Sequence, residues 1–222
     1  WGPRAKWQYP VIIDNMMNLE MLSFVAKKTG KESYMDMINA HAQTTLKQHF
    51  RPDNSCYHVV SYDTITGLPH AKNTHQGYAD ESAWSRGQAW ALYGYTMMYR
   101  ETGKPEYLEQ ARKVARFIKN HPNLPSDKVP YWDFDAPDIP NAPRDASAAA
   151  VMASALIELS QLDKNEEALA WFDLAEAQIR SLSSSDYLAE PGTNGGFILK
   201  HSVGNLNKNS EVDVPLSYAD YY

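Results

Sequence analysis

The sequence predicts an all-α architecture: a toroid of helical hairpins, of which these 222 residues form an incomplete arc. Three observations carry that prediction. Apolar residues keep helical period over long stretches, one turn pattern recurs along the chain, and long polar excursions join each hairpin to the next. The first helix is expected over 12–27, where Ile13, Met16, Met17, Leu19, Met21, Leu22 and Val25 stay close to a 3.6-residue period. It stops at Thr29-Gly30-Lys31, with Gly30 suited to a left-handed C-cap. A second helix is expected over 32–49. The pattern then returns: a helical run closes on Thr102-Gly103-Lys104, and Pro105 opens the next helix where its missing N–H costs little. Tyr107 stands four after Gly103, as Tyr34 stands four after Gly30. A weaker third copy runs over 148–162 to Asp163-Lys164-Asn165, with Ala168 in the place of the tyrosines. The period, about sixty to seventy residues, exceeds a tetratricopeptide or HEAT unit. The excursions at 51–80 and 121–145 are long enough to carry a site on one face of the ring. Strand signals are scarce, with 57–62 and 197–199 reading as short extended pieces. The stretch 212–222 reads as the start of a further helix. A closed ring of six hairpins needs about twelve helices and this chain has room for about seven. One partial domain over 1–222 is therefore expected.

Composition narrows the partners. Asp and Glu number 27 against 21 Lys and Arg, a net charge of -6, which argues against nucleic acid or an anionic membrane as the main partner. A local basic clamp for one acidic ligand remains compatible with that balance. The single cysteine, Cys56, offers neither an internal disulfide nor a zinc cluster, and a buried small side chain is expected there. No apolar run reaches membrane-spanning length. The start, Trp1-Gly2-Pro3-Arg4, shows no signal-peptide pattern and no methionine, so a mature form or a fragment is expected and the compartment is not written in the residues.

The most informative stretch is 75–94, where a polar, aromatic-rich loop runs into a helix whose first turns carry Trp84, Arg86 and Trp90. Arg86 and Trp90 are four apart and share a helix face. That pairs a guanidinium fork, suited to a carboxylate, with an indole plane able to cover a sugar ring. The plain alternative makes both tryptophans core and Arg86 a surface charge. Arg86 and Gln88, however, interrupt what should be a clean apolar stripe. Asp80 and Glu81 face different ways at the helix start and read as capping groups.

Four segments together resemble glycoside hydrolase family 88, the unsaturated glucuronyl hydrolases. They are Val11-Ile12-Ile13-Asp14-Asn15-Met16-Met17-Asn18-Leu19, the run 76–94, Arg144-Asp145-Ala146-Ser147-Ala148-Ala149-Ala150, and Lys200-His201-Ser202-Val203-Gly204 followed by 213–222. They lie in the family's order over essentially the whole chain. The resemblance implies an (α/α)6-barrel, no metal or organic cofactor, and removal of the 4,5-unsaturated uronic acid from the non-reducing end of lyase-generated glycosaminoglycan fragments. It matches Asp14 to the family's catalytic acid/base. It matches His58 and Gln76 to polar groups near the reacting carbons, and Trp84, Arg86 and Trp90 to ring-lining and carboxylate-facing residues. Read from the residues alone, Asp14 is equally an ordinary aspartate at a helix start, and His58 a hydrogen-bonded loop histidine.

The implied chemistry is hydration of a vinyl ether, unlike the two-carboxylate scheme of common glycosidases. One aspartic acid protonates C4 and then accepts a proton from the water adding at C5; the resulting hemiketal opens and releases the partner sugar. Such a residue needs a raised pKa, hence a water-poor pocket. The family's second aspartate precedes the segment matched by Asp14 and has no counterpart here, so activity is expected to require a longer protein. An unsaturated rhamnogalacturonyl hydrolase shares the hydration chemistry, while a non-catalytic carbohydrate-binding scaffold needs Trp84, Arg86 and Trp90 but not Asp14. A protein-interaction solenoid predicts a continuous concave surface. These loops instead concentrate aromatics and acids, as in Tyr131-Trp132-Asp133-Phe134-Asp135.

Overall fold

The computed structural model describes residues 7–222; the start read above as a mature terminus or fragment lies outside the described residues. Three helical hairpins follow one another: α1 (Asn15–Thr29) with α2 (Glu32–Gln48), α3 (Ser85–Thr102) with α4 (Pro105–Asn120), and α5 (Ala146–Leu162) with α6 (Ala168–Leu182). The predicted punctuation holds. Gly30 and Gly103 take left-handed conformations, each with φ 67°, and return an N–H to Ala26 and Tyr99 respectively. Pro105 occupies the first turn of α4.

Within each hairpin the two helices pack on each other, and α1, α3 and α5 also pack side by side. Those three form the inner row and α2, α4 and α6 the outer one. Composition explains the division. Helix α3 is buried all round from Ser85 to Met98 and α5 is buried over most of its Ala-rich length, the pattern of helices enclosed on every side. Helix α4 is amphipathic, burying Tyr107, Ala111, Val114, Ala115 and Ile118 on one stripe. Close approach of α1 to α3 depends on Gly94, where a Cβ would overlap Met16. The short helix α7 (Ser217–Tyr221) lies against α5 and extends the inner row.

Among the described residues are five short strands, not legible in the sequence as a series. Strands β1 (Tyr9–Ile12), β2 (Val59–Tyr62) and β3 (Pro69–Asn73) form an antiparallel sheet in the order β1-β2-β3, and β4 (Ser202–Asn205) pairs with β5 (Ser210–Val214). Only β2 lies within an expected extended piece. In 197–199 there is a single bridge, Leu199 to Leu188, and the helix expected from 212 begins only at Ser217. Four- and five-residue strands give too few alternations to register as period two. β1 and β2 also pair across some fifty residues, beyond the reach of local patterns.

Candidate active site

The inner helices present their N-termini to one face, and Asp14, His58, Gln76, Trp84 and Arg86 collect there. Asp14 stands immediately before α1. The ladder of β1 with β2 continues one step beyond the strands, with Ile13 N–H donating to His58 O at 3.0 Å, and so sets Asp14 beside His58. Asp14 occupies the N-cap position, yet its side chain makes no capping hydrogen bond. Its Oδ2 is buried without a hydrogen-bond partner, as is His58 Nε2, and the two atoms face each other at 3.8 Å. The Asp14 side chain as a whole retains 18% exposure. Burial pushes its pKa up to about 6, opposed by the positive charge of Arg86 and by its own backbone N–H.

His58 is fixed in one protonation state by backbone donors. Its Nδ1 lies 3.1 Å from His75 N and 3.2 Å from Gln76 N, both N–H donors. Nδ1 must therefore be the acceptor, and the ring proton sits on Nε2, toward Asp14. Burial, reinforced by His75, Arg86 and His49, holds the imidazole well below its ordinary pKa. The ring packs on Trp84 at 4.3 Å between centroids and 32° between planes.

Trp84 and Arg86 do not stand free to grip a ligand. Trp84 is 2% exposed, with His58 and the Arg86 guanidinium, 4.6 Å away, against its indole. Gly87 is required beneath it, since a Cβ there would lie 2.8 Å from the ring. Arg86 is equally buried: its guanidinium donates to Asp145 Oδ2 at 2.7 Å and to the carbonyls of Val203 and Gly204. The resemblance matches Arg86 to a carboxylate-facing residue and Trp84 to a ring-lining one; within this chain the Arg86 guanidinium lies against the Asp145 carboxylate and the Trp84 indole against the His58 imidazole. Gln76 is tied down too, its Nε2 donating to Gly204 O at 2.8 Å. Trp90 is apart from this group. It is largely buried, with edges of Tyr218 and Tyr222 against it, and borders a cleft of about 560 Å³ that also involves Asn18, Glu20, Phe24 and Tyr221.

The surrounding loops are built to hold this arrangement. Gln88, singled out as an interruption of the apolar stripe, pairs its side-chain amide with the backbone N–H and carbonyl of Cys56. Cys56 is buried as expected, its thiol pushed up to about 12 by that burial. Asp80 and Glu81 are not helix caps: Asp80 accepts from Asn73 and the Thr74 N–H, and Glu81 meets Tyr57 and Arg51. The true organiser of the 76–84 loop is Asp133, buried and accepting from Tyr78 N–H, Ser82 Oγ and Asp135 N–H. Burial raises its pKa from the ordinary aspartate value, opposed by these hydrogen bonds. Tyr131, Trp132 and Phe134 are core residues rather than a displayed surface.

Residues the sequence reading passed over as site members are Asp145, Asp133 and Tyr218. Asp145 alone left a signal, an acid directly before an Ala-rich helix, and it does cap α5 through Ser147 N–H and Ala148 N–H. Among the described residues no group of three or more His, Cys, Asp or Glu is arranged to hold a metal ion, and no helix is long and apolar enough to cross a membrane.

Comparisons with known proteins agree with one another. The chain is 52% identical over 216 residues to an unsaturated glucuronyl hydrolase of Formosa agariphila, covering 97% of this chain and 53% of that protein. Its fold matches the crystal structure of an unsaturated glucuronyl hydrolase specific for heparin with a TM-score of 0.96 and 54% identity, over 99% of this chain and 59% of the other. It also matches a Streptococcus agalactiae unsaturated glucuronyl hydrolase mutant complexed with dGlcA-GalNAc6S, with a TM-score of 0.84 and 30% identity over 95% of this chain and 56% of that one. The chain spans about half the length of the curated relatives it matches. No family model matches it.

Proposed function

Because the chain belongs to the unsaturated glucuronyl hydrolase family, we propose that it is the acid/base-bearing part, one partial domain over 1–222, of an enzyme that removes a 4,5-unsaturated uronic acid from lyase-generated glycosaminoglycan oligosaccharides. The observation that carries the reading is the facing pair of buried, unpartnered polar atoms, Asp14 Oδ2 and His58 Nε2. A carboxyl held near pKa 6 is divided between acid and base at neutral pH, which is what a residue giving a proton in one step and taking one in the next requires.

In this reading Asp14 delivers its proton to C4 of the vinyl ether, and the positive charge that develops is shared by C5 and the ring oxygen. Water then adds at C5 and gives a proton to the Asp14 carboxylate. The C5 hemiketal opens, the partner sugar leaves, and no bond between enzyme and sugar forms at any stage. His58, neutral and with its proton on Nε2, orients water or a hydroxyl by donating to it. Gln76 and Arg86 act as fixed parts of the pocket wall, Arg86 as a positive charge facing an acidic ligand from behind Trp84. Trp90, at its cleft, lies where further ring contacts would be made. The relatives named above are described as acting on heparin or bound to dGlcA-GalNAc6S, which supports a glycosaminoglycan-derived substrate.

The test follows the ultraviolet absorbance of the conjugated double bond in unsaturated disaccharides from chondroitin, heparin and pectin lyase digests, using the chain inside its longer protein. Loss of absorbance on the glycosaminoglycan disaccharides is expected. Turnover of the pectin-derived disaccharide alone would move the assignment to a rhamnogalacturonyl hydrolase.

A further inference from the structure

We infer that Asp145 is a positioning residue of the acid/base centre: by binding Arg86 it fixes a guanidinium at the far end of a file of groups that leads through Trp84 and His58 to Asp14. The inference rests on the reading of Asp14 as the acid/base. The file is continuous. Arg86 lies 4.6 Å from the Trp84 ring, Trp84 lies 4.3 Å from the His58 ring, and His58 Nε2 lies 3.8 Å from Asp14 Oδ2. At its far end Asp145 Oδ2 accepts from Arg86 at 2.7 Å, with both side chains buried.

Asp145 is itself immobilised. Its other oxygen accepts from Ser147 N–H, Ala148 N–H and the Ser147 hydroxyl, so the start of α5 holds the carboxylate while the carboxylate holds Arg86. Carbonyls of β4 take further guanidinium donors, and Gly204 O also accepts from Gln76, whose backbone N–H binds His58. One guanidinium thus ties together α3, α5, β4 and the loop that fixes the histidine tautomer.

The electrostatic consequence has a definite sign. Arg86 acts on Asp14 as a positive charge that favours the carboxylate; Asp145 partly cancels that charge. Other titratable groups around the two are Cys56 and His58 from the segment before β2, His75 from the following loop, Tyr218 from α7 and Glu211 from β5. Only Asp145 forms an ion pair with Arg86 among the described residues.

The experiment is a carbon-13 NMR titration of the aspartate carboxyls with the chain inside its longer protein, the Asp14 signal being identified by its loss in Asp14→Asn. Asp145→Asn keeps the α5 cap through its amide oxygen, for which Asn serves about as well, and removes the charge together with the hydrogen bond from Arg86, which an amide NH2 cannot accept. The Asp14 midpoint is expected to fall by about half a pH unit or more. Arg86→Met removes the opposite charge, and the midpoint is expected to rise by a similar amount. Loosening of the pocket lowers the midpoint in both, so opposite movements exclude a merely structural role. Ser147→Ala weakens the hold on Asp145 with no change of charge and is expected to leave the midpoint in place. An unmoved midpoint in a folded Asp145→Asn chain overturns the proposal. So does a fall in Arg86→Met, or a fall in Ser147→Ala as large as that in Asp145→Asn. In the longer protein the alkaline limb of kcat should follow the NMR midpoint while KM changes little. If the midpoint moves and the limb does not, Asp14 is tuned by this pair but is not the acid/base, and the premise fails rather than the electrostatics.

Discussion

Asp14 is a residue whose usefulness and whose cost to the fold have one origin. An aspartate ordinarily titrates near 3.8, and burial raises this one to about 6, so the folded chain binds a proton more tightly than the unfolded chain between those values. By linkage, stability falls as pH rises through that window and the full loss is present above the folded pKa. The size is roughly 3 kcal/mol. Asp14→Asn is accordingly expected to raise the stability of the chain by up to about that amount at pH 8, with the difference vanishing below pH 4, as read by urea unfolding at a series of pH values. In the longer protein the same substitution is expected to cut turnover of an unsaturated disaccharide by about 10²- to 10⁴-fold. Near-normal turnover would falsify the assignment. The sequence alone left Asp14 between a helix cap and a catalyst. The missing capping bond decides against the first, and no local pattern records a bond that is not made.

At the scale of elements, turns and close approaches govern. Gly94→Ala pushes a methyl into Met16 where α1 crosses α3, and a loss of about 1–3 kcal/mol is expected from overpacking. Gly103→Ala meets nothing within 4 Å. Its cost, about 1 kcal/mol, comes instead from the left-handed backbone. Thermal unfolding of the two variants separates the mechanisms, since shortening Met16 to Ala should relieve the first and leave the second unchanged. The corner between α5 and α6 depends on Asp163, whose carboxylate takes two bonds from Arg112 and one from Trp171 Nε1. Those partners hold its pKa below the usual range against the opposing effect of burial. The support it gives is therefore present at neutral pH and lost in acid, and Asp163→Asn is expected to flatten the acid limb of the stability profile. Helices and their glycine stops were legible because period and turn chemistry are local. The strands were not: β1 and β2 are specified by partners some fifty residues apart, and β4 and β5, though a local hairpin, are too short to display a period.

For the whole molecule, hairpin order and the inner and outer rows follow from repetition of one turn pattern, which is why the arc was readable before its strands. What repetition does not specify is how the loops interlock, and the site lies in that interlock: Gln76 and Arg86 are joined to β4 more than a hundred residues later. The two flanks of the arc display apolar side chains, Met21 and Phe24 on α1 and Leu169, Phe172 and Ile179 on α6. Surfaces of this kind bind hydrophobic dyes and associate. The chain is expected to bind such a dye, and to do so less after Phe24→Ser or Phe172→Ser, by fluorescence titration.

The antiparallel pairing of β1 with β2 acts as a ruler between the aspartate and the histidine, because Tyr9 faces Tyr62 and each step brings the two chains closer to Ile13 opposite His58. A residue added between His58 and Tyr62 shifts every later pair by one and turns the inward faces outward. A residue added in the exposed turn between β2 and β3, around Ile65 to Gly67, shifts nothing on that ruler. Evolutionary lengthening and shortening should therefore gather in that turn and be absent from the four steps after His58, and insertion scanning would show the same boundary in the laboratory.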